Sequence, residues 1–387
     1  MYAPPPGPPP ATVYAPPPGP PPHTAYAPSP ATAYPFCQNA SELSAYVRSS
    51  LATLASQGWL SVPLPPDLEA LYTRLFAQSA SYFDLPSDAR EKTAFAAPTG
   101  KAASDEGFSD IPGEKQLITL RRVSGTPASL RETAMAAWDA TGALFLDTVR
   151  EIADSLELED THIFDEMSCE ANGFAEKVRA SSLLRLFRYN RPDGTLGTKK
   201  IVAEGHKDLG LLTLVVGQSP GLDVRDVRTG AWVSVEETPP PGGARLTGTL
   251  LAGQTLTYLT RGLYAAGSHR VSVLPPAAPG DDYRFSLVFA LRPTPDALID
   301  TARFAASPLV GAFPPERLSF EANNYPHCSM HGQPARELFR CIAQQHWNVN
   351  IAPEVREEQR RLLASGSTLV VDEKGRGPDG AGEARLG

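Results

Sequence analysis

Between about Ser182 and Leu291 the chain is a succession of short runs rich in β-branched and aromatic residues. They are Leu183 to Tyr189, Leu211 to Val216, Trp232 to Val235, Leu256 to Leu259, His269 to Val273 and Phe285 to Leu291. Glycine and proline clusters separate them at close intervals. That pattern predicts a mainly β core, a closed barrel or double-sheet jelly roll, because each run is too short to bury itself except against a facing sheet. Ahead of it, Leu68, Leu71, Tyr72, Leu75 and Phe76 recur at spacings of three and four after Pro65-Pro66-Asp67. Ala134, Trp138, Phe145, Val149, Ile152 and Leu156 do the same in a longer stretch from Ser129. Both predict amphipathic helices that pack on the core. Two further helices are expected at Ala335 to Gln345 and Pro353 to Leu363.

The ends differ in kind. Tyr-Ala-Pro-Pro-Pro-Gly-Pro-Pro-Pro occurs at Tyr2 and again at Tyr14, with a degraded copy from Tyr26, and the chain holds 39 prolines in all. Such a repeat has no core-forming residues and favours an extended polyproline II arm, either a plain solvated tail or a docking segment for an SH3-like or WW-like partner. Gly366 to Gly387 is rich in glycine and charge and reads as a disordered tail. The expected divisions are a proline-rich arm (1–34), a helical and mixed region (35–180), a jelly-roll core (181–295), a C-terminal helical region (296–365) and the tail (366–387).

With 35 Lys and Arg against 43 Asp and Glu, a net charge of -8 gives no footprint for a phosphate backbone, so nucleic acid is not expected as a partner. No apolar run is long enough to span a bilayer and the N-terminus lacks a secretory layout, which makes the cytoplasm the expected location. Cys37, Cys169, Cys328 and Cys341 form no CxxC pair and are expected to be reduced and mostly buried.

His206 and Asp208 are two residues apart, which on a strand puts both side chains on one side. His269 adds an inward imidazole from a later run. Taken singly, each has a plain alternative: a surface turn for the first pair, a satisfied core histidine for the second. Together, two imidazoles and a carboxylate leave open positions on a metal, the arrangement of non-haem iron(II) oxygenases. Arg284 and Ser286 share a strand face further on. An inward guanidinium requires a carboxylate, supplied either by a ligand, with the serine hydroxyl adding a hydrogen bond, or by an internal Asp or Glu. His327, Cys328 and His331 form a compact group that could suggest zinc but lacks a fourth nearby ligand; it reads as a loop lining the substrate entrance.

Over residues 35 to 365 the chain resembles the isopenicillin N synthase-like branch of the iron(II)/2-oxoglutarate-dependent dioxygenases. The resemblance rests on Gly205-His206-Lys207-Asp208 with Gly210 and Thr213, on Leu251-Ala252-Gly253-Gln254 leading to Ser268-His269-Arg270-Val271, and on Arg284-Phe285-Ser286. Gln57-Gly58-Trp59 and Phe83-Asp84-Leu85-Pro86 resemble the family's N-terminal region. Phe187, Gly253-Gln254 and the loop Leu274 to Gly280 depart from the usual pattern. The resemblance implies a double-stranded β-helix with His206, Asp208 and His269 as iron ligands. It also implies Arg284 and Ser286 on the distal carboxylate of 2-oxoglutarate, with Tyr189 beside them. The implied reaction consumes dioxygen and 2-oxoglutarate and hydroxylates, desaturates or cyclises a small organic metabolite, as in specialised biosynthesis. The alternatives are an iron oxidase in which the arginine holds a substrate carboxylate, as in isopenicillin N synthase, and a non-catalytic scaffold.

Overall fold

The computed structural model describes residues 37–97, 106–192, 199–236, 246–278, 280–314 and 329–369. The proline repeat, its expected SH3-like or WW-like partner, residues 370–387, and His327 with Cys328 lie outside them.

Eleven strands occur among the described residues: β1 (Trp59–Pro63), β2 (Gly107–Ile111), β3 (Lys115–Leu120), β4 (Leu183–Asn190), β5 (Lys200–Lys207), β6 (Leu212–Gly217), β7 (Leu222–Arg225), β8 (Trp232–Ser234), β9 (Thr247–Ala252), β10 (Ser268–Val273) and β11 (Tyr283–Leu291). They form a seven-stranded sheet, in the order β1-β9-β6-β11-β4-β3-β2, and a four-stranded sheet, in the order β5-β10-β7-β8. All ladder pairs are antiparallel. This is the double-stranded β-helix expected from the strand pattern. Strands β1 to β3 belong to the helical and mixed region of the sequence yet pair into the large sheet, so that region is continuous with the core.

Strand periodicity divides the large sheet into two functions. One face, with Leu184, Leu186, Leu214, Val216, Leu287 and Phe289, packs on the helices Pro66–Asp84 and Ala128–Ser155. Phe289 meets Trp138 at 4.7 Å and Phe145 at 5.4 Å between ring centroids, both edge-on, a geometry worth about 0.5–1.5 kcal/mol per pair beyond area burial. The other face carries Leu117, Phe187, Tyr189 and Val215 toward Val202, Val224, Val271 and Val273 of the small sheet. The polar residues of interest stand on this inner face, because residues two apart on a strand share a side.

One expected strand is a helix. Leu256 to Leu259 falls within Gln254–Leu259, and threonine hydroxyls bond back along it: Thr257 Oγ1 donates to Gly253 O at 3.2 Å and the capping Thr260 Oγ1 to Leu256 O at 2.9 Å. The free N–H groups of its first turn fasten the chain that carries Asp208. Gln254 N donates to Asp208 O at 2.8 Å and Thr255 N to Gly210 O at 3.1 Å. Cysteine burial also differs from expectation: Cys37 is buried, Cys341 is half-buried and Cys169 is exposed. Leu369, assigned by composition to the tail, is buried and donates its N–H to Gln344 O. No helix of the described residues is long and apolar enough to cross a membrane.

Candidate metal and co-substrate site

His206 on β5 and His269 on β10 are direct cross-strand partners, and Asp208 follows β5 by one residue. The imidazole centroids are 4.3 Å apart. His206 Nε2 lies 3.9 Å from Asp208 Oδ1, and His269 Nε2 lies 3.8 Å from Asp208 Oδ2. One candidate ligand atom from each residue falls within 4.8 Å of the others.

The tautomers follow from the backbone. His206 Nδ1 is 2.7 Å from Glu204 O and His269 Nδ1 is 3.2 Å from Gly267 O. A carbonyl only accepts, so both Nδ1 atoms carry the proton and both Nε2 atoms present lone pairs toward the carboxylate. Burial and the neighbouring His269 drive His206 from its ordinary 6.5 to about 3, which keeps it neutral at physiological pH. Two imidazoles and one carboxylate, aimed at one point, make a donor set suited to a divalent first-row metal.

The large sheet contributes the second group. Arg284 on β11 is fully buried opposite Tyr189 on β4, and Ser286 pairs with Phe187. Sequence reasoning left the guanidinium's partner open between a ligand carboxylate and an internal acid, and the structure shows a divided answer. Nη2 donates to Glu236 Oε2 at 2.6 Å and Nε to Ser219 O at 3.0 Å, while Nη1 and Ser286 Oγ have no well-formed hydrogen bond among the described residues. Glycines make the cradle: a Cβ on Gly221 would meet Arg284 Nε at 2.3 Å, and one on Gly217 would meet Glu236 Oε1 at 2.2 Å. Tyr189 stacks on Phe187 at 5.1 Å, and burial raises its phenol to about 12 against the opposing pull of Arg284 and the nearby Ser286.

No family model matches the chain. Among curated proteins it is similar to the 2-oxoglutarate-dependent dioxygenase frbH of Dothideomycetidae sp., 25% identical over 258 residues, covering 62% of this chain and 74% of that protein. It is also similar to the proline hydroxylase buaE of Petromyces alliaceus, 26% identical over 286 residues, covering 66% and 84%. Among solved structures it shares its fold with a full-length Neurospora crassa protein in complex with alpha-KG (TM-score 0.53, 20% identity, 71% of this chain and 88% of that one). The same holds for the dioxygenase for auxin oxidation 1 of Arabidopsis thaliana, solved with 2-oxoglutarate (TM-score 0.50, 18% identity, 67% and 91%). In sequence the chain is similar to 2-oxoglutarate-dependent dioxygenases, and it shares their fold.

Four residues of this site escaped sequence reasoning: Arg185, Arg292, His346 and Glu236. A cavity of about 110 Å³ beside His206 and Asp208 is walled by Arg185, Arg292, Phe339, His346, Asn348 and Gln359, among others. Its walls do not include Arg284, Ser286 or Tyr189. Arg185 connects the two groups electrostatically, since it is influenced by the charge of Asp208 and by Tyr189, and Tyr189 in turn by Arg284. Parity offered a signal for Arg185, which shares the inner face with Phe187 and Tyr189 along β4. His346 and Glu236 gave none, because their positions depend on chain folding beyond the strand pattern.

The walls come from the β core and the C-terminal region, and no residue of the N-terminal helices is among them. The C-terminal segment is clamped over the barrel by three cations. Lys115 Nζ donates to Val349 O at 2.8 Å, Arg356 pairs with Glu114 at 2.6 Å, and Arg360 pairs with Glu204 at 2.7 Å. This places His346 with its ring 6.1 Å from that of His206 and stacked on Trp347. Burial brings His346 down to about 4, so it is a neutral hydrogen-bonding group in the wall.

Proposed function

We propose that this dioxygenase oxidises a small organic metabolite, with His206, Asp208 and His269 holding iron(II) and Arg284 and Ser286 receiving the distal carboxylate of 2-oxoglutarate. The observation that carries the reading is the convergence of two Nε2 lone pairs on one carboxylate, across paired strands of the small sheet. When bound, the metal with 2-oxoglutarate and dioxygen supplies the oxidising power, coupling decarboxylation of the co-substrate to oxidation of a substrate carbon.

The chain's own residues supply position. The bonds to Glu204 O and Gly267 O fix the imidazole tautomers and orientation. Nη1 of Arg284 is a buried donor without an acceptor, and the Ser286 hydroxyl stands at the next inward position of β11, beside Tyr189; a carboxylate can satisfy the first and reach the second. Arg185 and the neutral His346 wall the cavity beside the metal ligands, where a substrate carbon has to sit. One relative is named a proline hydroxylase, which supports a small organic substrate and a role in specialised biosynthesis.

Glu236 favours a second reading. With one edge of Arg284 already occupied by an internal acid, the chain could act as an iron oxidase that takes no 2-oxoglutarate. Incubation with iron(II), dioxygen and 2-oxoglutarate separates the two. Stoichiometric succinate supports the first reading, and oxygen consumption with a substrate but without succinate supports the second.

A further inference from the structure

We propose that Arg292 is the anchor for a carboxylate carried by the primary substrate; this rests on the oxygenase reading above and names the class of molecule it acts on. Arg292 lies one residue past the end of β11, in the wall of the cavity that contains His206 and Asp208. Its guanidinium packs on the Phe339 ring, 5.1 Å from the centroid. Among the described residues it makes no hydrogen bond or ion pair through its side chain. Arg292 is half-buried, and its five N–H donors have no protein acceptor among the described residues, which leaves them open to a ligand in the cavity.

The surrounding charges favour an anion beside it. Arg185 is a second guanidinium in the same wall, and burial together with its charge brings Arg292 from its ordinary 12.5 to about 10. The two acids near Arg292 are committed elsewhere. Asp208 belongs to the metal triad, and Glu170 accepts from Ser182 N at 2.9 Å and also faces Arg121. Arg185 is partly engaged, with Nε donating to Thr119 Oγ1 at 2.8 Å, and it feels the charges of both Asp208 and Tyr189. Among the described residues, Arg292 is left as a cation in the wall with no internal partner.

A planar carboxylate is the ligand that matches a guanidinium edge with two parallel hydrogen bonds, and the Phe339 ring restricts the plane in which that edge is presented. A substrate held there presents the carbons near its carboxylate to the metal ligands in the same cavity. The geometry therefore selects small carboxylic acids over their neutral counterparts.

The test uses the full chain loaded with manganese(II), which is inert to oxygen here, and with saturating 2-oxoglutarate so that Arg284 is filled. The probes are the twenty free amino acids and the straight-chain acids from acetate to octanoate, each against its primary amide, read by thermal shift and then by titration. At least one acid is expected to bind ten-fold or more tightly than its amide, with the preference lost in Arg292→Gln and partly kept in Arg292→Lys. Absence of any acid preference across the panel overturns the proposal. So does a preference that survives Arg292→Gln. If Arg292→Gln fails to fold, the wild-type comparison and Arg292→Lys still decide, since loss of charge geometry in the lysine variant has to weaken the acid and leave the amide unchanged. Failure of the oxygenase reading shows separately, as absence of succinate from the iron-loaded wild type.

Discussion

Arg284 Nη2 lies 2.6 Å from Glu236 Oε2, so the guanidinium assigned to the co-substrate is half satisfied before any ligand arrives. Glu236 is held in turn by Leu222 N at 2.8 Å and packs against the bare backbone of Gly217. The pair fixes the arginine's direction and leaves Nη1 as its open donor.

Glu236→Gln keeps an oxygen for Nη2 and Leu222 N but removes the compensating charge. A charge-assisted hydrogen bond exceeds a neutral one by about 1 kcal/mol, so 2-oxoglutarate should bind several-fold to roughly ten-fold more tightly. The free protein should lose about 1–3 kcal/mol of stability. Calorimetric titration and denaturant unfolding check both signs, and weaker co-substrate binding would contradict the competition between Glu236 and the co-substrate for Arg284.

Arg284→Gln should raise the KM for 2-oxoglutarate by ten-fold or more while manganese(II) still binds, because the guanidinium stands in the large sheet and the ligand triad in and beside the small one. Steady-state succinate formation and a metal titration separate the two effects. Parallel loss of metal and co-substrate would indicate a collapsed barrel.

Much of this arrangement was legible in the sequence. Periodicity located the long helices and most strands, since a half-buried strand has to alternate and a packed helix has to repeat its apolar face. The spacing of Arg284 with Ser286 follows from strand pleat, whereas His206 ends up beside Asp208 although Asp208 lies one residue past β5. What was hidden depended on partners remote in the chain. Glu236 reaches Arg284 across 48 positions, and His346 reaches the metal ligands through clamps on Lys115 and Arg356. The helix at Gln254–Leu259 was misread because threonine's preference for strands was outweighed by the N–H groups it supplies to the Asp208 segment.

Gly253 and Gly210 meet so closely that a Cβ on Gly253 would lie 2.1 Å from Gly210 O. Gly253→Ala should therefore displace the segment that carries Asp208, destabilising the fold by about 1–3 kcal/mol, as overpacking does, and weakening metal affinity. Thermal unfolding with and without manganese(II) measures both. Unchanged metal affinity in a folded variant would show that the contact does not position Asp208.

Lys115 is fully buried and donates to Val202 O at 2.9 Å and Val349 O at 2.8 Å. Burial, with the nearby Arg356 charge, brings its pKa from 10.5 to about 7. The unfolded chain holds a proton that the folded chain sheds, so this group's contribution makes stability rise with pH between about 7 and 10.5. Lys115→Met should flatten that rise, seen by denaturant unfolding at pH 7, 8.5 and 10. An unaltered slope would show that the amine stays charged.

The most direct test of the central claim is a titration of 2-oxoglutarate into the anaerobic protein with and without a divalent metal. Tight binding is expected only when manganese(II) or iron(II) is present, with loss in Asp208→Ala and weakening in Arg284→Gln. Metal-independent binding, or full binding by Asp208→Ala, would contradict the assignment of His206, Asp208 and His269 as the centre beside which the co-substrate sits.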